Sequence, residues 1–316
     1  MSEVPDPAPV RTGSVHRALT GALPALVTPL SDPTTIDADG LTTLVHAALG
    51  DGASGVLVAG TTGEATLLDP EQRVQLTTAA RAALTGRARP DGTEATLVAG
   101  ASGPTLAELH ADVARLARAG ADLVLVLAPA FQPLTPAELV DLHLEVAERA
   151  GHPTLLYHIP QLTGSPLTPD AVARLARHEA IVGIKDSSPD AERRAAIVEV
   201  TREVPGFSVL TGHAPTVAAA LRAGADGSIL AVSNVRLRQA VALQAAVAEG
   251  DDDEVERLQD GLARLTRGIA EVGFSTPAVL KAALQLDGVL EERWCTPPLS
   301  SVPPSRLDHV RTALLR

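Results

Sequence analysis

From residue 24 onward, short apolar runs alternate with longer stretches in which Ala and Leu recur at helical spacing. The runs are "PALVT" (24–28), "GVLVAG" (55–60), "ATLVAG" (95–100), "DLVLVLAP" (122–129), "TLLYHIP" (154–160), "IVGIK" (181–185), "FSVLTG" (207–212) and "GSILAVSN" (227–234). Most are continuous rather than alternating, which is the pattern of a strand buried on both faces. Between them the spacing predicts helices over 39–50, 70–85, 104–119, 135–150, 168–178, 190–203 and 214–223. A capping residue stands before a proline at Asp69-Pro70, Ser102-Gly103-Pro104, Thr135-Pro136 and Thr168-Pro169, as at helix starts. Glycine follows at Ala119-Gly120 and Ala150-Gly151, where helices stop.

Eight buried strands joined by crossover helices predict an α/β chain whose parallel sheet closes into a (β/α)8 TIM barrel. The rival is an open doubly wound sheet that binds a nucleotide. It lacks its signature here, since neither G-x-G-x-x-G after the first strand nor G-x-x-x-x-G-K-[ST] occurs. Three parts are expected: a loose Pro-rich N-terminal arm over 1–20, the barrel over 21–235, and a C-terminal helical extension over 236–316 packed on the barrel. The extension is interrupted by the Pro-rich "CTPPLSSVPPS".

Composition alters this picture in a few places. Aromatic residues make up only 2%, so Ala, Leu and Val must build the core. A formal charge of −12 argues against nucleic acid or an anionic membrane as partner, since both need a basic surface. No apolar run reaches the ~18 residues of a membrane span, and the first residues lack an apolar signal core. The single cysteine, Cys295, permits no intrachain disulfide and no Cys-rich metal site, which fits a reducing cytoplasm. The sharpest signal is lysine usage. Of 26 Lys and Arg residues only two, Lys185 and Lys281, are lysine.

Active sites of such barrels lie at the C-terminal ends of the strands. The second run ends in "GTTGEAT", bringing Gly60, Thr61, Thr62 and Glu64. The fourth is followed by Phe131, and the fifth ends in Tyr157 and His158. The sixth ends in Lys185, then Asp186, Ser187 and Ser188; the seventh leads into Gly212 and His213; the eighth carries Ile229. Tyr157 is the only tyrosine, and its strand neighbours that of Lys185. A lysine among apolar walls loses solvation of its charged form and becomes a nucleophile that attacks a ketone to give a Schiff base. A phenol beside it can pass protons. Gly60 and Gly63 let the backbone of the "GTTG" turn approach a ligand, and its N–H groups and hydroxyls suit a carboxylate. The expected ligand is therefore a 2-oxo acid, with its carboxylate on Thr61 and Thr62 and its ketone carbon on Lys185.

Other residues carry plainer readings. Phe131 reads as hydrophobic lining, at a subunit contact. His158 and His213 read as pocket polarity. A divalent-metal lyase built on these histidines is a rival, but no H-x-H or His-carboxylate spacing supports it. Neither metal nor cofactor is expected. Lys281, within "TPAVLKAAL", reads as structural or solvated, Glu64 as a cap of the next element, and Cys295 as buried.

Taken together, "GTTGEATLL", "YHIPQLTG", "GIKDSS" and "GADGSILAVSNV" resemble, in order and spacing, the N-acetylneuraminate lyase and dihydrodipicolinate synthase family of class I, Schiff-base pyruvate lyases. The resemblance covers residues 20–315 and implies a TIM barrel, usually a homotetramer, with no cofactor. It implies Lys185 as the Schiff-base lysine and Tyr157 as the proton-transfer phenol. Thr61 and Thr62 would hold the pyruvate carboxylate, Thr62 also serving the proton relay, and Gly60, Gly212, Ile229 and His158 would line the pocket. A small 2-oxo acid and an aldehyde are the implied partners, in a tetramer or dimer of this chain. Three positions depart from the family pattern. Leu162 stands where dihydrodipicolinate synthases carry an arginine for the second substrate, Phe131 where a tyrosine comes from a neighbouring subunit, and His158 where asparagine is common. The segment "PAFQPLTPAE" matches the sugar-acid aldolases more closely in register. These departures favour C–C cleavage or condensation of a pyruvate-like or 2-keto-3-deoxy acid. The alternatives are dihydrodipicolinate synthesis, dehydration of a 2-keto-3-deoxy acid, and a non-catalytic protein that only binds the 2-oxo acid.

Overall fold

The computed structural model describes residues 19–89 and 92–314. Apart from Leu19 and Thr20, the expected N-terminal arm lies outside the described residues. Eight parallel strands follow one another along the chain: β1 (Gly21–Pro24), β2 (Gly55–Val58), β3 (Thr96–Ala101), β4 (Leu123–Leu127), β5 (Thr154–His158), β6 (Ile181–Asp186), β7 (Ser208–Thr211) and β8 (Gly227–Leu230). From β2 to β8 each pairs with its sequence neighbour, and β1 pairs with β8. The ring closes between β1 and β2 through Leu26 N–H to Leu57 O (2.9 Å) and Ser54 N–H to Ala22 O (3.1 Å). This is the eight-stranded barrel that the apolar runs predict.

The first strand is where the expectation needs correcting. The regular strand is "GALP", which shares only Pro24 with the run at 24–28, although Ala25 N–H still reaches Leu230 O (3.0 Å) and Leu26 N–H reaches Leu57 O (2.9 Å). Both stretches are apolar, so hydrophobicity does not separate them. Proline has no N–H to give a ladder, and the regular strand ends there. Residues 25–28 remain buried and run on beneath the "GTTG" turn, where Thr28 Oγ1 donates to Gly63 O (2.6 Å).

The barrel interior is filled by Leu, Val and Ile side chains, among them Leu23, Leu57, Val98, Leu125, Leu155 and Leu210, with Tyr157 as the one aromatic. A second apolar layer lies between the strands and the surrounding helices. These are α1 (Ala38–Gly50), α2 (Pro70–Leu84), α3 (Leu106–Arg118), α4 (Pro136–Ala150), α5 (Pro169–Leu175), α6 (Ala191–Thr201), α7 (Val217–Arg222) and α8 (Ser233–Glu249). Asp69, Thr135 and Thr168 cap α2, α4 and α5 as predicted. The α3 start differs. Its cap is Thr105, not Ser102, because Thr105 and Glu108 form a reciprocal capping box that outweighs the proline signal. The helix predicted over 214–223 opens with a 3₁₀ turn, Ala214–Thr216, before α7.

The boundary expected after residue 235 meets Arg236, a non-helical residue (φ −144°, ψ 43°) within α8. Beyond it the helix packs on β1 and β8. Three further helices follow: α9 (Asp252–Val272), α10 (Thr276–Leu286) and α11 (Leu307–Leu314). Residues Pro277–Leu284 of α10 are all buried, so this helix is enclosed between the barrel and its neighbours.

Candidate active site

β5 and β6 set the centre. Their register places Tyr157 opposite Lys185 and His158 opposite Asp186. Side chains alternate along a strand, so the first pair enters the barrel and the second leaves it. Lys185 Nζ lies 4.3 Å from the centroid of the Tyr157 ring, and both residues are buried. A cation over an aromatic face gains about 0.5–2 kcal/mol. The Tyr157 phenol also meets Thr61 Oγ1 at 3.1 Å. Burial alone would push the phenol up. The Lys185 charge and hydrogen bonds from Thr61, Lys185 and Ser187 outweigh it and hold the phenol below its ordinary value.

Gly212 closes the other side of the lysine. Its N–H donates to Asp186 O (2.7 Å), and a side chain there would meet Lys185 Cε at 3.1 Å and collide with Ser187 Oγ. Only glycine leaves the lysine its position. Ile229 lies fully buried in the same interior layer as Tyr157. Ser187 has no role in the sequence expectation, yet it is among the groups that lower the phenol. The signal was available, because Ser187 is two residues from Lys185 and strand alternation puts both on one side.

The "GTTG" turn follows β2. Ala59 and Glu64, at φ 50° and 62°, occupy the left-handed region that non-glycine residues rarely adopt. Two hydrogen bonds close the turn, Glu64 N–H to Thr61 O and Ala65 N–H to Gly60 O, both 3.1 Å. Among the described residues no acceptor takes the N–H groups of Thr61 and Thr62. Successive unpaired N–H groups in a tight turn form an anion cradle. The hydroxyl on the phenol is that of Thr61. Thr62, expected in the relay, is buried and makes no bond to Tyr157, because consecutive residues of the turn point apart.

Beneath the turn, Glu64 is buried; it stands at the N-cap of the 3₁₀ turn Ala65–Leu67, but its side chain makes no capping hydrogen bond there. Its Oε1 lies 2.5 Å from Lys281 Nζ, an ion pair at poor hydrogen-bond angle, and its Oε2 accepts from Thr296 N–H (2.6 Å). Lys281 also donates to Trp294 O (2.7 Å). Lys281 is thus structural and fully buried, and it ties α10 to the turn. Arg73 braces the same segment from α2, with its guanidinium on Asp112 and on the carbonyls of Ala65 and Leu68.

His158 is a correction. The expectation gave it a place in the pocket, but the alternation of β5 turns it outward. Its Nδ1 meets Asp186 Oδ1 at 2.7 Å, and the Arg193 guanidinium lies 2.9 Å from its ring nitrogens. Arg194 completes the cluster, with Nε 3.0 Å from Asp186 Oδ2. Burial, aided by the charge of Arg193, lowers the His158 imidazole despite Asp186. For Asp186, burial pushes up, but His158 and the two arginines win and keep it low. This network anchors the two residues that follow the phenol and the amine. His213 bonds Thr216 (Nδ1 to Oγ1 3.0 Å). Among the described residues no three His, Cys, Asp or Glu side chains converge as a metal-ligand set.

A cavity of about 140 Å³ opens beside Tyr157. Gly60, Thr61 and Tyr157 form one end, and Leu125, Leu127, Ile159 and Leu162 continue the wall. Lys185 lies behind the Tyr157 ring and is not part of this wall. Leu162 sits at the rim, as its position predicted. Phe131 does not line the cavity. It is 96% exposed on the loop between β4 and α4, which carries the side chain away from the barrel.

A model of the dihydrodipicolinate synthetase family matches residues 18–315. A 4-hydroxy-tetrahydrodipicolinate synthase of Stenotrophomonas maltophilia is 34% identical over 294 residues, covering 93% of this chain and 95% of the relative. One of Methanothrix thermoacetophila is 30% identical, covering 93% and 96%. Among solved structures, dihydrodipicolinate synthase from Aquifex aeolicus superposes with a TM-score of 0.84 at 28% identity, covering 93% of this chain and 96% of that one. YagE, a prophage protein of the same family from E. coli K12 crystallised with pyruvate, gives 0.84 at 26% identity over the same shares. The eight-stranded barrel, the lysine at the end of β6 and a match spanning nearly all of the chain agree: this protein belongs to the dihydrodipicolinate synthetase family of class I, pyruvate-dependent lyases.

Proposed function

We propose that Lys185 attacks the ketone of pyruvate or a related 2-oxo acid and forms an imine with loss of water. Loss of a proton from the adjacent carbon gives an enamine. That carbon then forms a C–C bond with an aldehyde, or in reverse the bond breaks and the aldehyde leaves. Tyr157 carries protons between the reacting atoms and solvent, and Thr61 orients its phenol. The unpaired N–H groups of Thr61 and Thr62 suit the carboxylate. The observation that carries this reading is the amine held over the phenol at 4.3 Å, with no carboxylate at ion-pair distance among the described residues.

The purified chain, incubated with pyruvate and borohydride, is expected to gain a pyruvate-derived mass on Lys185. An unmodified Lys185 after complete treatment would remove the reading. Turnover of any aldehyde that vanishes in Lys185→Ala would exclude a protein that only binds the 2-oxo acid. The synthase activity for which the curated relatives are named is the second reading, supported by their 30–34% identity. Leu162 at the cavity rim weighs against it, since it offers nothing to a second carboxylate. The 96% exposure of Phe131 supports a homo-oligomer, tetramer or dimer, in which a second copy covers that ring. A free, buried Cys295 accords with a reducing cytoplasm. Among the described residues no helix is long and apolar enough to cross a membrane.

A further inference from the structure

The wall of the cavity beside Tyr157 points to the second partner. We propose that it is an uncharged aldehyde with a largely apolar substituent; this rests on the imine reading above.

Away from the turn, the wall is Ala65, Leu125, Leu127, Ala130, Ile159 and Leu162. Among the described residues, Tyr157 is the only lining side chain that ionises. No lining side chain carries a positive charge to pair with an anionic substituent. The cation under the same loop, Arg73, is buried and engaged by Asp112 and two carbonyls. A carboxylate against such a wall would gain no cationic partner for what hydration it gives up.

A chain of hydroxyls fares little better. Of the lining hydroxyls, Thr61 is bonded to Tyr157, and Thr163 is buried against Ile159 O. Only Thr66 and Ser102 have hydroxyls that make no hydrogen bond among the described residues. They suffice for the aldehyde oxygen and one further polar atom, not for a sugar.

The step balances without further reactants. The enamine carbon bonds to the aldehyde carbon, the aldehyde oxygen takes a proton relayed by Tyr157, and water releases the product from Lys185. The product is a 4-hydroxy-2-oxo acid with an apolar tail. Cleavage is the same sequence reversed.

The test supplies the full-length protein with pyruvate and, separately, butanal, benzaldehyde, succinic semialdehyde and glyceraldehyde. Expected is a kcat/KM for butanal or benzaldehyde at least tenfold above the other two. Leu162→Arg should raise the ratio for succinic semialdehyde over butanal at least tenfold, with a thermal melt reporting that the variant folds. Borohydride trapping of pyruvate runs alongside. Without an imine at Lys185 the underlying reading fails. An imine with a preference for the anionic or hydroxylated aldehyde, or with turnover of none of the four, overturns this inference alone.

Discussion

The two lysines of this chain are both buried, yet they sit in opposite electrostatic settings. Lys281, on α10, faces Glu64 at 2.5 Å and donates to Trp294 O, so its charge is matched. Lys185, at the end of β6, lies over the neutral face of Tyr157. The carboxylate next to it in sequence, Asp186, faces the other way and is taken by Arg193 and Arg194. Everywhere else the chain uses arginine, which stays protonated and cannot act as a nucleophile. Burial alone therefore does not mark a reactive lysine. What differs is the partner. Lys281 is paired with Glu64 and ties α10 to the turn, while among the described residues Lys185 has no carboxylate at ion-pair distance and faces the Tyr157 ring.

That contrast can be broken at several points. The largest effect is expected from Lys185→Ala, with turnover falling by roughly a thousandfold or more because the covalent route is gone. Steady-state kinetics and a melting curve together separate this from unfolding. Tyr157→Phe should lower kcat by about 10²–10⁴, the usual worth of a positioned acid or base, while pyruvate still forms a trappable imine.

Lys281→Met should act on the other side of the comparison. It strands a buried Glu64 carboxylate and should cost about 3–5 kcal/mol of stability in denaturant titration, while Lys185 in the folded fraction remains trappable by pyruvate. If Lys281→Met abolished trapping without destabilising the fold, the division of labour would be wrong.

His143 on α4 offers a milder third case, a buried base with no ionic partner. Full burial lowers its imidazole to about 4. An unfolded histidine binds its proton near 6.5, so between 6.5 and 4 the unfolded state holds more protons. Stability should be fully present above pH 6.5 and fall by about 3 kcal/mol as pH drops to 4. His143→Leu should flatten that part of the pH-stability curve; an unchanged slope would place the titration elsewhere.

Much of this was legible in the chain. Seven of the eight strands coincide with the apolar runs, because strands buried on both faces must be apolar throughout. Scarcity and strand order single out Lys185 and Tyr157, and the structure brings the two together. The failures share one cause: the side on which a residue lies depends on details finer than hydrophobicity. Pro24 ended β1 early, and the two stretches around it were equally apolar. His158 was read into the pocket because it adjoins Tyr157, although adjacency along a strand means opposite faces. Which of Thr61 and Thr62 bonds the phenol is not legible either, because the turn is too irregular to follow an alternation rule; the structure gives that bond to Thr61. The Glu64–Lys281 pair joins residues 217 positions apart, and no local pattern reports such a contact.

The most direct measurement is peptide mapping of the borohydride-reduced, pyruvate-treated protein, because both lysines are then compared in one sample. The account predicts a pyruvate-derived mass on the peptide containing Lys185, none on the peptide containing Lys281, and none at all in Lys185→Ala. An adduct on Lys281, or one that survives in Lys185→Ala, would contradict it.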